Sequence, residues 1–302
     1  MATKQQTFGD LLWRRIVIWV PYTWLLLFFL VPFAIVFKIS FSDPIVAQPP
    51  FTALFDHTQN LLNRFQGTLN NYLFLLDDNL YWVSYLRSIK IASISTVLCL
   101  LPGYPMAYYI AQSPPTRRNI LLMLIILPFW TSFLLRVYAW MGILSTNGII
   151  NSALLWIGII DEPLQMLYTN FAVYIGIVYT YLPFMILPLY ANLERLDLDL
   201  HDAAADLGAK PLQVFWDIIL PISLPGIVAG SLLVFIPAMG EFVIPSLLGG
   251  LDSLMIGRTL YDEFFVNRDW PLASAVATIL LLILVLPIML FQRMQVSGRS
   301  SD

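Results

Sequence analysis

The sequence predicts an all-α integral membrane protein with six transmembrane helices. Of its 302 residues, 59% are hydrophobic and only 12% are charged, and the mean hydropathy is +0.76. Soluble domains carry about 25% charged residues, so this composition argues against a soluble fold. The net charge of −3 and a single cysteine, Cys99, in an apolar run indicate neither a nucleic-acid partner nor a cysteine metal site.

Six apolar runs are long enough to cross a bilayer. A helix needs about 20 apolar residues to cross about 30 Å of hydrocarbon. The predicted spans are residues 16–37, 91–111, 119–144, 171–190, 225–248 and 272–291. The first run is longer than the apolar part of a signal peptide, about 7–15 residues, so we expect it to be retained. The run 149–160 is too short to span and is expected to form an interfacial or outer helix.

The distribution of lysine and arginine predicts the orientation of the chain. Cytoplasmic segments carry more of these residues than outer segments do. The two sides hold nine and five of them, namely Lys4, Arg14, Arg15, Arg117, Arg118, Arg195, Lys210, Arg293 and Arg299 against Lys38, Arg64, Arg87, Arg258 and Arg268. Six spans put both termini on one side. The N and C termini and residues 194–224 are therefore predicted to be cytoplasmic.

Residues 202–221, DAAADLGAKPLQVFWDIILP, form the one long polar segment on the predicted cytoplasmic side. Gly208 fits the position after a helix end, where a left-handed backbone is needed, and Pro211 fits the first turn of the next helix. Pro221 is expected to end that second helix. The pattern predicts two short helices joined by a bend. The alternative is a helix lying on the membrane surface, but such helices are typically basic and this one is acidic.

This segment resembles the cytoplasmic EAA loop of ABC-importer permeases. The family pattern is Glu-Ala-Ala, three residues, Gly, nine residues and Ile-x-Leu-Pro. The matching positions are Asp202, Ala203, Ala204, Gly208, Ile218, Leu220 and Pro221. Asp202 stands where Glu is usual, which keeps the charge on a shorter side chain. The resemblance implies the type I ABC-importer permease fold and a single permease domain over residues 1–302, with a coupling loop at 194–224.

In that family the loop seats in a cleft of an ATPase subunit and passes nucleotide-driven closure to the spans. The small alanines of this segment allow close approach of another helix. Its apolar side chains would face the groove of the ATPase, and they are Leu207, Leu212, Val214 and Phe215. The resemblance implies a second permease subunit of a different chain, two copies of a cytosolic ATPase that uses ATP and Mg, and a periplasmic binding protein. No lysine of this chain follows the glycine spacing of a Walker A loop, so we expect no bound cofactor and no catalysis by this chain.

Two further stretches resemble the permeases of polyamine importers. They are LPFWTSF at 127–133, followed by RVYAW at 136–140, and FIPAMGEFVIP at 235–245. The likeness covers about residues 22–291. It implies putrescine or spermidine as the substrate and a polyamine-binding protein in the periplasm. An ABC importer of another small solute is the alternative, because the EAA loop is shared across the superfamily.

Ionisable residues inside spans are costly, at about 2.5–3.5 kcal/mol on insertion scales, and usually face a cavity or a partner. Lys90, Arg136 and Glu241 qualify. Glu241 lies 16 residues (241 − 225) beyond Pro225, or roughly 24 Å along a helix, which predicts a place in the outer half of the membrane. The surrounding helix breakers, Pro237, Gly240 and Pro245, predict a broken or kinked helix there.

A polyamine is a flexible polycation, which needs carboxylates for its ammonium groups and aromatic faces for cation–π contact. Glu241 supplies the carboxylate of the predicted substrate path. The candidate aromatic residues are Trp130, Tyr138, Trp140, Tyr179 and Tyr181. The alternative for Glu241 is a structural ion pair with Arg136 or Lys90. Arg136 itself is interpreted as structural, because a cation would repel this cargo.

Two other classes of protein are weighed against the importer. An ion-coupled secondary transporter typically has inverted repeats with paired broken helices, and spans one to three do not mirror spans four to six. An intramembrane enzyme or metal site would have to use His57 or His201, both outside the spans. His201 with Asp202 and Asp206 lacks a further ligand nearby in sequence, so no metal site is predicted.

Overall fold

The computed structural model describes residues 8–53, 55–56, 64–65, 67–196, 204 and 206–299, with side chains for 17–53, 67–196, 204 and 206–289. Six helical ranges are long and apolar enough to cross a membrane, namely Val17–Ile39, Asn79–Ala111, Phe133–Ile157, Asn170–Leu193, Pro211–Met239 and Trp270–Met289. The prediction of an all-α protein with six transmembrane helices is confirmed. Within the described part of the chain, the only paired strands are β1 (Phe55–Asp56) and β2 (Arg64–Phe65), which are antiparallel.

The third range differs most from the expected span, residues 119–144. Here α5 (Pro115–Ile126) leads into a 3₁₀ turn (Leu127–Trp130), and α6 (Phe133–Leu144) follows. Pro128 lacks a backbone donor and Thr131 is extended, so the helix is interrupted between α5 and α6. The apolar range found in the structure begins after this interruption and includes α7 (Ile149–Ile157), which ends at the left-handed Gly158.

One compact unit comprises residues 1–77 and 262–281. It contains α1 (Phe8–Leu25), a π turn (Leu26–Leu30), α2 (Val31–Ile39) and α3 (Asn70–Asp77). Asn71 on α3 donates from Nδ2 to the carbonyls of Ser40 and Ser42 at 2.9 and 2.8 Å. The hydroxyls of Ser40 and Tyr72 lie 2.7 Å apart. These bonds tie the end of α2 to α3.

The same unit holds a second π turn, Asp262–Val266, and the start of α13 (Trp270–Arg299). Asp269 stabilises the first turn of α13 by accepting from the backbone N–H of Leu272 at 2.9 Å. Phe264 and Trp270 stack with ring centroids 5.0 Å apart.

The other unit comprises residues 78–261 and 282–302. Its core is built by three long helices that pack on one another, α4 (Asn79–Ala111), α8 (Asn170–Leu193) and α10 (Leu220–Met239). Asp78 and Thr169 cap the first two by accepting backbone N–H bonds. The unit also contains α9 (Pro211–Val214), α11 (Val243–Leu248) and α12 (Ile256–Tyr261).

Small residues let these three helices approach closely. The buried side chain of Met185 on α8 lies between Gly103 of α4 and Gly230 of α10. A methyl group at Gly103 would lie 3.1 Å from Met185 Cγ, and one at Gly230 would lie 2.9 Å from its sulfur. Glycine at such crossings is typical of membrane helices, whose association depends on close van der Waals contact.

Candidate functional site

The bend predicted in the EAA-like segment is made by the backbone around Gly208. Gly208 has φ +83°, which confirms the predicted left-handed position. The N–H of Ala209 donates to the carbonyl of Ala204 at 3.1 Å, the six-to-one bond of a Schellman motif. Asp202 and Ala203 lie outside the described residues, as does His201. We call the described part of this bend, Ala204 and residues 206–214, the elbow.

The second half of the elbow begins as predicted but does not end as predicted. Pro211 opens α9, and the side chain of Gln213 accepts from the backbone N–H of Lys210 at 2.9 Å. The expectation that Pro221 ends this helix is wrong. A π turn (Phe215–Ile219) follows α9, and the N–H of Leu220 donates to the carbonyl of Phe215, five residues back.

The π turn explains why the helix continues through Pro221. In an α-helix a proline removes one bond and its ring clashes with the carbonyl four residues earlier. The wider π register just before Pro221 changes that spacing, so α9, the π turn and α10 form one helical range, Pro211–Met239. Pro221 is exposed at its surface.

The apolar side chains predicted to form one coupling face separate into two groups. Leu207 and Leu212 are 89% and 73% exposed. Val214 is buried, and Phe215 packs edge-on against Tyr104 of α4 with centroids 5.6 Å apart. Ala204 and Ile218 also join the interior cluster. Of the four apolar side chains predicted for the coupling face, only Leu207 and Leu212 are therefore displayed for a partner.

The predicted break around Glu241 is confirmed. Helix α10 ends at Met239, and α11 begins at Val243. Glu241 is 8% exposed, and its Oε1 accepts from the backbone N–H groups of Val243 and Ile244 at 3.0 and 3.4 Å. The carboxylate thus stabilises the start of α11, whose first N–H groups have no partner within the helix.

A hydroxyl from α8 completes the surroundings of this carboxylate. The Tyr181 hydroxyl donates to Glu241 Oε2 at 2.5 Å, a short bond of the charge-assisted kind. Tyr181 was predicted only as an aromatic face for the substrate. The available signal was that a buried tyrosine hydroxyl usually finds a partner. No ion pair of Glu241 with Arg136 or Lys90 occurs among the residues that the structure describes.

A glycine braces the break from its other side. Gly257 at the start of α12 lies against the backbone of residues 240 and 241, and a methyl group there would lie 2.7 Å from the carbonyl oxygen of Glu241. It would also overlap the carbonyl of Gly240. The break is therefore fixed by a carboxylate, a hydroxyl and a close backbone contact.

Aromatic rings lead from Tyr181 towards Arg136. Tyr181 lies beside Phe184, with centroids 6.1 Å apart, and Phe184 meets Phe129 edge-on at 5.3 Å. The Arg136 Cζ lies 5.5 Å from the centre of the Phe129 ring and 5.9 Å from that of Phe133. These are cation–π distances. The two charged residues predicted in spans three and five are thus linked by rings and not by an ion pair.

The remaining predicted aromatic residues do not join this group. Trp140 and Tyr179 pair edge-on at 5.5 Å. Trp130 is 76% exposed, and Tyr138 is also exposed. Of the five predicted aromatic residues, the structure brings only Tyr181 to Glu241 by a hydrogen bond.

An ion pair that the sequence reasoning missed lies at the start of the predicted coupling loop. Arg118 follows the Pro-rich turn between α4 and α5, and Glu194 directly follows α8. Arg118 Nη1 lies 2.7 Å from Glu194 Oε1. The two residues are 76 positions apart (194 − 118), so their meeting had no local signal.

Residues 103–300 match the family model described as "Binding-protein-dependent transport system inner membrane component". The chain is 46% identical over 226 residues to the spermidine/putrescine transport system permease protein PotB of Escherichia coli K12, covering 75% of this chain and 82% of that protein. It is 39% identical over 280 residues to PotB of Haemophilus influenzae, covering 93% of both. These findings agree with the resemblance seen in the EAA-like segment and in residues 127–140 and 235–245.

A solved structure shows the same fold. A chain of a bacterial alginate ABC transporter, in complex with an alginate pentasaccharide-bound periplasmic protein, matches with a TM-score of 0.69. The match covers 96% of this chain and 97% of that chain at 15% identity. The likeness concerns the fold alone and confirms an ABC-transporter permease architecture.

Proposed function

Since this chain belongs to the family of binding-protein-dependent transport system inner membrane components, we propose that it is the pore subunit of an ATP-driven polyamine importer. It is a multi-pass protein of the bacterial inner membrane. The family consists of ABC permease subunits, which are not enzymes and have no cofactor of their own. The proposal concerns the cargo, the partners and the residues that serve each.

Putrescine or spermidine is the proposed cargo. The relatives that support this are spermidine/putrescine permeases, at 46% and 39% identity. The observation that carries the proposal is the carboxylate of Glu241 held at the helix break after Met239, within the predicted fifth span, residues 225–248. Such a break at membrane depth is tolerated where it is buried in protein or lines a water-filled cavity. A carboxylate there suits a cationic cargo.

The Glu241 carboxylate and the Tyr181 hydroxyl together form the proposed ammonium site. The Tyr181 hydroxyl oxygen and Glu241 Oε2 are 2.5 Å apart. Each of these two oxygens has lone pairs that the hydrogen bond between them does not use. An ammonium group has three N–H donors and can therefore bond to both oxygens. Further along the proposed path, Trp130, Tyr138, Trp140 and Tyr179 offer aromatic faces to the cation and its alkyl chain.

The elbow is the proposed contact for the ATPase. Leu207 and Leu212 are displayed there, and the bend that carries them is fixed by Gly208 and Pro211. The matched residues Asp202, Ala203, Ala204, Phe215, Ile218 and Pro221 belong to the same proposed coupling segment, 194–224. Two copies of a cytosolic ATPase, using ATP and Mg, would act on it and on its counterpart in a second permease subunit of a different chain.

A periplasmic polyamine-binding protein is the proposed donor of cargo. The alginate transporter, which shares the fold, was solved with a periplasmic protein bound. We place the termini and residues 194–224 in the cytoplasm, and we treat residues 1–302 as a single permease domain whose long outer connections receive the binding protein.

The substitution Glu241→Gln tests the ammonium site. The amide keeps the shape of the side chain but removes its charge, so uptake should fall by about tenfold or more if roughly 1.4 kcal/mol of ammonium binding in transit is lost. Uptake of labelled putrescine and spermidine is measured in proteoliposomes that hold the whole complex, with ATP inside and no ion gradient. Glu162→Gln, at an exposed outer residue, is the matched control.

Assembly is checked by co-purification of the partner chains. Uptake by Glu241→Gln at the wild-type rate would show that Glu241 only caps a helix. Uptake by the wild-type protein that depends on an ion gradient and not on ATP would contradict the importer itself.

A further inference from the structure

A groove of about 340 Å³ lies between α4, α5 and α8. Its lining is almost wholly apolar and includes Tyr109, Ile110, Leu121, Leu124, Leu182 and Ile186. On α5 and α8 the named residues stand three or four positions apart, so each helix presents one face. Ile110 and Ile186 are 3% and 1% exposed, whereas Tyr109 and Leu124 are 55% and 52% exposed. The groove therefore has a buried floor and an open side.

A positive charge stands at the end of the groove nearest the turn between α4 and α5. Arg117 lies one helical turn before Leu121, on the same face of α5. Its Nη1 donates to the hydroxyl of Tyr109 at 3.4 Å. Arg117 is exposed and forms no ion pair in the part of the chain that the structure describes. The nearby Glu194 cannot serve it, because that carboxylate already pairs with Arg118.

The groove and Arg117 together are about as long as one leaflet of a bilayer is thick. Pro128 also lines the groove and lies 11 residues (128 − 117) beyond Arg117, or roughly 16 Å at 1.5 Å per residue. Half of the hydrocarbon core of a bilayer is about 15 Å. The groove can therefore take an acyl chain of one leaflet while Arg117 meets the headgroup.

The charge of the groove decides between lipid and cargo as its occupant. Tyr179 lines the end away from Arg117 and is also proposed for the substrate path. However, none of the lining residues is acidic, and Arg117 would repel a polycation. An anionic phospholipid complements both parts of the site, with an apolar chain and a negative phosphate. Basic pockets between membrane helices are known to bind such headgroups.

We propose that this groove binds one acyl chain of an anionic phospholipid, whose phosphate pairs with Arg117. The planar guanidinium suits this role because it binds phosphate through two parallel hydrogen bonds. The inference goes beyond the proposed function, because it uses neither the cargo nor the partner subunits.

Photolabelling locates the lipid. The complete complex is reconstituted in phosphatidylcholine vesicles that contain a trace of phosphatidylglycerol with a photoreactive acyl chain, and the labelled peptides are identified by mass spectrometry. We expect the label on residues 121–128 and 179–186. The same photoreactive chain on phosphatidylcholine is the matched control lipid. It should label these residues about fivefold less, the factor that corresponds to about 1 kcal/mol for one basic side chain.

Removal of the charge tests the headgroup contact. Arg117→Gln should lower labelling by phosphatidylglycerol by about fivefold and leave labelling by phosphatidylcholine unchanged. Arg117→Lys should fall between Arg117→Gln and wild type, because it keeps the charge without the fork. Lys90→Gln, at an exposed residue 19 positions (109 − 90) before Tyr109 on α4, is the matched control. It removes one positive charge away from the groove and should label like wild type.

Filling the groove tests the chain contact. Leu124→Trp places a larger side chain in the groove, so it should abolish labelling of residues 121–128 and 179–186 by both lipids. Leu101→Trp, at an exposed leucine of α4 that does not line the groove, is the matched control. Thermal unfolding and co-purification of the partner chains show that each variant is folded and assembled.

The readout is the position and amount of label and involves no transport, so it is independent of the polyamine proposal. The inference is overturned if the two lipids label the groove equally, if the label lies elsewhere, or if Arg117→Gln labels like wild type. A photoreactive amino acid at position 124 that captures a protein chain and no lipid would also overturn it.

Discussion

The elbow and the break at Glu241 interrupt helices by opposite means. At the elbow, Gly208 and Pro211 turn the chain through local backbone geometry, and two leucine side chains are left exposed. At the break, a buried carboxylate satisfies the first N–H groups of α11 and is itself held by Tyr181 from another helix. A turn made by local backbone preferences needs no distant partner. A turn that holds a buried carboxylate needs several.

The largest effect is expected when the close backbone contact at the Glu241 break is disturbed. Gly257→Ala places a methyl group against the carbonyls of Gly240 and Glu241, which cannot move without displacing the break. Overpacking typically lowers the free energy of unfolding by about 1–3 kcal/mol. Because the added methyl group meets backbone atoms, we expect this variant to lose at least the upper value. Thermal unfolding in detergent is the measurement.

The control for that experiment is Gly142→Ala. Gly142 lies on α6 with open space around its Cα, so alanine there should be neutral or stabilising by up to about 1 kcal/mol. Equal unfolding temperatures for the two variants would show that the break tolerates displacement.

Tyr181→Phe removes the distant partner of Glu241. Leaving a buried carboxylate with one bond fewer should destabilise the protein by about 1.5–3 kcal/mol, the range for bonds to charged groups. Tyr179→Phe is the control, since the Tyr179 hydroxyl forms no hydrogen bond with any residue described in the structure. If both variants unfold alike, the hydroxyl contributes nothing to the break.

Gly208→Ala tests the elbow by the same logic. No atom lies within 4 Å of the added methyl group, so the whole effect is the strain of a left-handed backbone, about 1 kcal/mol. Gly208→Asn should be milder, because asparagine tolerates this conformation. The measurements are the thermal unfolding of the complex and the stimulation of its ATPase activity by cargo. An alanine variant that matches wild type in both would show that residue 208 does not need a left-handed backbone.

The smallest effect on stability is expected for Leu207→Ser. The side chain is almost fully exposed, so the free energy of unfolding should change by less than about 0.5 kcal/mol. The ATPase activity of the assembled complex should no longer depend on the cargo. Val214→Ala, at a buried residue, should cost about 2 kcal/mol and shows that the assay can detect a loss. ATPase activity that still depends normally on the cargo in Leu207→Ser would show that Leu207 is not part of the ATPase contact.

The elbow was predictable because its determinants are close together in sequence. Gly208 and Pro211 have strong individual preferences that no distant contact overrides. The continuation of the helix through Pro221 was not predictable, because it follows a π turn at Phe215–Ile219 that the propensity of one residue does not reveal.

The break was predictable only in part. Pro237, Gly240 and Pro245 indicated where the helix would stop. The acceptor and donor that fix it, Glu241 and Tyr181, are 60 residues apart, and nothing local connects them. The same holds for the contact between Phe129 and Phe184 on α8, whereas the two rings under Arg136, Phe129 and Phe133, are close to it in sequence.

The helical range Pro211–Met239 begins in the elbow and ends at the residue before the break, with 29 residues between its ends inclusive. At 1.5 Å per residue this range is roughly 43 Å long, and all of its residues are helical. Met185 packs against Gly230 partway along this range. One continuous helical range therefore joins the elbow to the break that holds Glu241, so a displacement of the elbow has a direct covalent route to that carboxylate.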